Sequence, residues 1–173
     1  MPEFSDFAHS LRDAMSIEMV SAIESAPMPS LGEGSIHKPM LPLLSGGVGD
    51  HLIGVAPGRQ MECLSGLWLV AGDIHRSHSI SQDLPSREGS FWHGIMHRRE
   101  GDFGNSKYWF RKVGQHPVLE QIAHQSDGVY TDPYDFVDRC EDAVSGAGDP
   151  AEVKACELGQ WIEWQALMMW LCS

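Results

Sequence analysis

The segment from Ser90 to Val113 doubles back on itself. Apolar residues recur at helical spacing on both sides of Glu100-Gly101-Asp102, a tight-turn signal, so the segment predicts two antiparallel helices. A weaker copy lies upstream. Laying residues 61–85 on residues 90–114 pairs Gly72-Asp73 with Gly101-Asp102 and Ser77 with Ser106. Leu67 then meets Met96, Ile74 meets Phe103 and Leu84 meets Val113. The identities fall at the turn and at the small residue where two antiparallel helices would cross closely. Two consecutive helical hairpins, spanning 61–118, are the core of the expected architecture.

The flanks read as helix too. Phe7, Leu11, Met15, Met19 and Ile23 recur every four residues, which predicts one helix from about Ser5 to Glu24, stopped by Pro27 and Pro29. Residues 27–60, with their prolines and Gly46-Gly47-Val48-Gly49, read as a loop-rich connection holding one or two short helices. No Gly-Lys-Ser/Thr follows that glycine cluster, so it is turn chemistry and not a phosphate loop. Ser86 is the expected N-cap of the helix reaching Arg99. Gly114 stops the helix from Phe103 to Val113, and Pro117 opens the next, through Gln125. Asp132-Pro133 and Asp149-Pro150 each place a capping side chain before a proline suited to the first helical turn. Glu152 completes a capping-box spacing with Asp149. The last helix, about Pro150 to Leu171, carries Trp161, Trp164, Leu167, Met168 and Leu171 on its apolar side. No run of alternating β-branched residues occurs, so the fold class is all-α. The expected organisation is a single helical domain over 1–173: an N-terminal helix (1–26), the connection (27–60), the hairpins (61–118) and C-terminal capping helices (119–173).

The hairpin pattern resembles the tetratricopeptide-like repeats. In that family a small residue in the first helix, as Gly94 is here, precedes a turn like Gly101-Asp102. A small residue such as Ser106, an aromatic such as Phe110 and a closing proline such as Pro117 then follow. Ser65, Gly72-Asp73 and Ser77 supply the upstream match, with Ser81 where the aromatic belongs. The resemblance implies hairpins stacked in a right-handed arrangement, with an inner surface that contacts peptides. The block from Trp92 to Phe103 is also similar to a family of proteins with no assigned activity, which implies a shared fold and nothing about chemistry.

Charge narrows the function classes. The chain carries −12 overall, yet Arg87, Arg98, Arg99, Lys107, Arg111 and Lys112 cluster within one window, opposed only by Glu88, Glu100 and Asp102. An acidic body disfavours nucleic acid, whose phosphates demand Lys and Arg. The basic window is expected either to face the acidic C-terminal third of its own chain or to hold an acidic peptide or small anion. No segment reads as a signal peptide or a membrane span, so a cytoplasmic protein without a membrane partner is expected. Cys63, Cys140, Cys156 and Cys172 form no C-x-x-C pair, which predicts buried free thiols and no cysteine-based zinc site. Some of the Met169-Trp170 end would suit a homodimer face.

Two candidate sites emerge. On the family resemblance, Arg98 and Arg99 line the inner surface with Phe91 and Ile95. Together with Lys107, Tyr108 and Arg111 they form a basic, aromatic ligand-binding patch, and this makes a binding or scaffold module the leading expectation. The alternative uses His93 and His97, four apart on one helix, with Glu100 three further on and His78 from the preceding hairpin. That spacing suits ligands for a divalent transition metal or a hydrolase-type polar pocket. It is not the H-E-x-x-H signature, because Gly94 takes the glutamate's place. If the two imidazoles lie in the hairpin core without a metal, Asp102, Asn105, His78 or Glu100 must satisfy them. No G-x-S-x-G elbow or cysteine–histidine arrangement is present. On the scaffold reading no cofactor is expected.

Overall fold

The computed structural model describes residues 4–146 and 148–173; residues 1–3 of the expected N-terminal segment, and residue 147, lie outside the described residues. Among the described residues every regular element is helical: eleven α-helices, two short 3-10 turns and no strand.

The expected single N-terminal helix is two. α1 (Phe4–Ser10) and α2 (Ile17–Glu24) are separated by a turn, because Ser16 leaves helical backbone geometry and caps α2, accepting from the Met19 N–H. Tertiary contacts hold the break open. The Ser16 N–H donates to the His51 carbonyl, its hydroxyl lies 2.8 Å from His51 Nδ1, and the Gly54 N–H donates to Ala14. Phe7, Leu11, Met15, Met19 and Ile23 are all buried nonetheless. The periodicity located the core face and missed the break. Residues 27–60 run as expected, with 3-10 turns at Lys38–Met40 and Pro57–Arg59 and two single-turn helices, α3 (Leu41–Leu44) and α4 (Val48–His51).

Both hairpins are present. α5 (Gln60–Val70) returns as α6 (Ile74–Ser81), and α7 (Arg87–Glu100) returns as α8 (Phe103–Val113). The Gly-Asp repeat has one local cause in each. The glycine ends a helix in the left-handed region, Gly72 at φ 80° and Gly101 at φ 87°. The aspartate then caps the next helix, accepting from Arg76 N–H and Asn105 N–H respectively. The small residues sit at the helix crossings. The Ser65 and Ser77 hydroxyls meet at 3.1 Å, and the Ser106 hydroxyl donates to the Gly94 carbonyl at 2.7 Å. A Cβ on Gly94 would stand 2.9 Å from the Phe110 ring.

α9 (Pro117–Gln125), α10 (Pro133–Val144) and α11 (Pro150–Cys172) complete the chain. Asp149 caps α11 by accepting from Ala151 N–H, but Glu152 gives no capping box, because its carboxylate is taken by Arg139. α11 does not cap an end of the fold. From Gly159 to Met168 it is buried on every side. Phe7 of α1 packs edge-on against Trp161 and Trp164, and the Trp164 indole donates to the Gly66 carbonyl of α5 at 2.7 Å. Each such buried aromatic or aliphatic side chain contributes about 1.5–3 kcal/mol by removal from water. Among the described residues no helix is long and apolar enough to cross a membrane.

Candidate metal centre

α6 and α7 are joined by a short connection and capped at Ser86, whose hydroxyl accepts from Gly89 N–H. This fixes the face of α7 that meets α6. His93 and His97, one helical turn apart, occupy that face, and His78 of α6 comes to meet them. One ligand nitrogen from each of the three lies within 4.8 Å of the other two. The rings of His93 and His97 stack at 4.7 Å, and His78 stands edge-on to both, at 4.8 and 5.4 Å. Trp109 of α8 closes the far side, stacked on His93 with ring centres 3.8 Å apart, and Lys112 Nζ lies 4.1 Å from the Trp109 centroid.

The protonation of each ring follows from its neighbours. Glu100 Oε2 lies 3.0 Å from His97 Nδ1, a close but bent approach, and a carboxylate can only accept. His97 therefore carries its proton on Nδ1 and a lone pair on Nε2, where the Asn105 amide donates at 3.1 Å. Glu100 and Asn105 are two of the partners expected from sequence. His93 has the Ser81 carbonyl as its backbone partner, while its buried Nδ1 has none. Burial, reinforced by His97 and His78, pushes the His93 pKa down to about 3. Burial also lowers that of His97, with Glu100 opposing. Both rings are thus neutral at pH 7, the state that offers lone pairs. Neither ring nitrogen of the half-buried His78 has a hydrogen-bond partner among the described residues.

No protein family matches this chain, and no curated protein or solved structure is significantly similar to it. The site has to be read from its own geometry.

The basic patch expected from sequence does not assemble. Arg98 and Arg99 do not line an open groove: they are 2% and 4% exposed, as buried as Phe91 and Ile95. Arg98 reaches α11, where Nη1 and Nη2 grip the two oxygens of Glu163 at 3.2 and 2.5 Å and Nη2 also meets Gln160 Oε1. Its guanidinium lies 4.7 Å over the Phe136 ring. Arg99 turns the other way, to backbone carbonyls near the 27–37 loop. The physical reason is desolvation matched by partners: Arg98 meets a carboxylate and Arg99 meets backbone carbonyls, and these contacts offset the loss of water. Lys107, Tyr108 and Arg111 remain on the outside of α8. Lys107 pairs with Asp138, and Arg111 and Lys112 lie over the exposed Tyr108 ring. Arg98–Glu163 and Lys107–Asp138 are the contacts that the charge pattern, basic segment against acidic C-terminal third, expects.

Two residues of these arrangements were not singled out from sequence. Trp109 walls the histidine cluster. It also lines a cleft of about 370 Å³ beside the 82–87 connection and Lys112. Glu163 was hidden as one acid inside the apolar run from Trp161 to Trp170; a lone charge there was the available signal for a buried partner. A larger cavity, about 570 Å³ between Met28 and the first turns of α11, shares no residue with either site.

Proposed function

We propose that this chain is a metal-binding protein whose centre is the trio His78, His93 and His97. The observation that carries the reading is the convergence of three imidazoles, with one ring nitrogen, His93 Nδ1, buried and unpartnered. Leaving such a group unsatisfied costs about 1–3 kcal/mol, and a metal ion removes that cost. Tetrahedral Zn²⁺ with Zn–N bonds near 2.0–2.1 Å needs nitrogens about 3.3 Å apart. Contraction from 4.8 Å asks for a modest turn of the rings, which the half-buried His78 has room to make. Glu100 then holds the His97 proton on Nδ1, the carboxylate–histidine arrangement that orients a metal-binding ring, and the Asn105 amide yields the Nε2 lone pair to the metal.

Three protein ligands leave one coordination position, the arrangement of catalytic zinc sites. A metal bound there would act as a Lewis acid and lower the pKa of a coordinated water to about 7. The reading therefore extends to hydrolysis of a substrate admitted past Trp109. Elemental analysis of tagless protein tests it: about one equivalent of a transition metal is expected, lost in both His93→Ala and His78→Ala. Metal content near zero after growth and refolding with added Zn²⁺ would end the proposal.

A second reading keeps the scaffold idea on the exposed face of α8. Tyr108 is 45% exposed and flanked by the exposed Arg111 and Lys112, a surface suited to an acidic peptide. The double charge reversal Arg111→Glu with Lys112→Glu is expected to abolish capture of an acidic partner; undiminished capture would rule this surface out.

A further inference from the structure

Arg99 is a buried cation without an anion. None of the ion pairs among the described residues includes it. It donates instead to three backbone carbonyls: Nε to Gly32 at 3.0 Å, Nη1 to Leu69 at 2.7 Å and Nη2 to Glu33 at 3.0 Å. Carbonyls satisfy its hydrogen bonds but bring no counter-charge. Burial, together with the adjacent Arg98, holds its pKa down to about 10. Arg98 has Glu163; Arg99 has no equivalent.

What Arg99 does have is space beside it. A cavity of about 120 Å³ lies between the 27–35 loop and the α5–α6 turn, lined by Arg99 together with Ser30, Gly34, Ser35 and Gly72. A Cβ built on Gly34 would stand 3.3 Å from Arg99 Nη2 and 3.2 Å from the Ser30 hydroxyl, so both groups flank one point. A guanidinium offers five N–H donors. Three are used, which leaves one on each of Nη1 and Nη2. Among the described residues, no backbone N–H from Met28 to Ile36 donates to another protein group. The cavity thus combines a charge, a two-pronged donor, two serines and a loop of free amides, and it contains no carboxylate.

We infer that this cavity is a binding site for a small oxyanion, a phosphate or carboxylate group, received by the free Nη1 and Nη2 hydrogens of Arg99 and closed over by the 27–36 loop. Guanidinium N–H donors form charge-assisted hydrogen bonds with either oxyanion. The bound anion supplies the counter-charge that the fold omits. It also ties the loop, already anchored through the Gly32 and Glu33 carbonyls, more firmly to α7. The site is separate from the histidines and does not rest on the metal reading.

The test uses chelator-treated full-length protein, so that no metal competes for the anion. Inorganic phosphate and acetate are titrated separately against sodium chloride at matched ionic strength, and melting temperature is followed. One of the two oxyanions is expected to raise Tm saturably, by about 5–10 °C at a hundredfold excess over Kd. The one that saturates at lower concentration identifies the head group. Ser30→Asp places a carboxylate beside Arg99; it is expected to raise Tm without added anion and to abolish the oxyanion response. Two results overturn the inference: responses no larger than that of chloride, or a full response retained in Ser30→Asp. Should that variant not fold, calorimetric titration of the unaltered protein decides the matter. Saturable heat with phosphate or acetate supports the site, and heat no greater than that of chloride overturns it.

Discussion

Arg98 and Glu163 allow the sharpest test of what holds this fold together. Their side chains are 1% and 0% exposed, and they join α7 to the middle of α11 through two parallel hydrogen bonds. Burial pushes the Glu163 carboxyl up while Arg98 opposes it. Burial by itself would lower the Arg98 pKa, but Glu163 outweighs it and the result is raised. A guanidinium does not give up its proton near neutral pH, so Arg98 stays a cation inside the fold. Removing one partner strands a charge in the interior, at a cost of about 3–5 kcal/mol. Removing both with apolar residues of similar volume strands nothing, and such replacements range from neutral to stabilising by about 1–4 kcal/mol. Urea denaturation of Glu163→Leu, Arg98→Met and the double variant is the assay. Each single change is expected to lose about a fifth or more of a typical stability of about 5–15 kcal/mol, and the double to recover most of it.

The singles also differ with pH. In Arg98→Met the stranded carboxyl can take up a proton, and its folded pKa lies above its unfolded one. The native state then binds more protons, so stability returns as pH falls toward the ordinary carboxylate range. Glu163→Leu strands a cation with no such escape and stays weak at both pH 5 and pH 8. If the two singles and the double lie within about 0.5 kcal/mol of one another, the ion pair is not what joins α7 to α11.

Other expectations can be checked directly. Gly66→Ala would drive a methyl to 2.6 Å from Trp92 and 2.8 Å from Met168, and should cost about 1–3 kcal/mol in chemical denaturation. Gly104→Ala, on the open face of α8 with nothing within 4 Å, should instead stabilise by about 0.5–1 kcal/mol. On the metal reading, Glu100→Gln should weaken Zn²⁺ binding about 10–100-fold in competition with a chromophoric chelator while leaving the stoichiometry intact; an unchanged affinity would remove Glu100 from the site. Thiol labelling of native protein should modify Cys172 first. It is the one cysteine not fully buried, and a hydrogen bond from Cys63 lowers its pKa, whereas Cys63, Cys140 and Cys156 should react only after denaturation. Equal labelling rates at all four would contradict the burial described.

Much of the fold was legible in local patterns. Gly-Asp at 72–73 and 101–102 is a helix stop followed by a helix cap, and both act within a few residues, so sequence alone placed both hairpins. The same holds for Ser86, Gly114, Pro117, Asp132 and Asp149. The break at Ser16 was not legible in the same way, because the His51 and Gly54 backbone groups that stabilise it come from another part of the chain. Of the candidate site, the spacing of His93 and His97 put two imidazoles on one face, and Glu100 and Asn105 were recognisable as partners. Trp109 was not recognisable as the wall, because which face of α8 meets α7 depends on the crossing at Ser106 and Gly94.

Charge shows the boundary most clearly. Sequence established that the basic residues cluster and that the C-terminal third is acidic. It could not say that Arg98 goes inward to Glu163, Arg99 inward to three carbonyls, and Arg111 outward to solvent. Neighbouring helical positions point about 100° apart, so adjacent arginines face different surroundings. Only the packing of α7 between α11 and the 27–37 loop decides which finds a counter-charge, which finds dipoles and which finds water. Periodicity and capping are written within single turns of the chain; the partner of a long polar side chain is fixed by whatever distant segment folds against it.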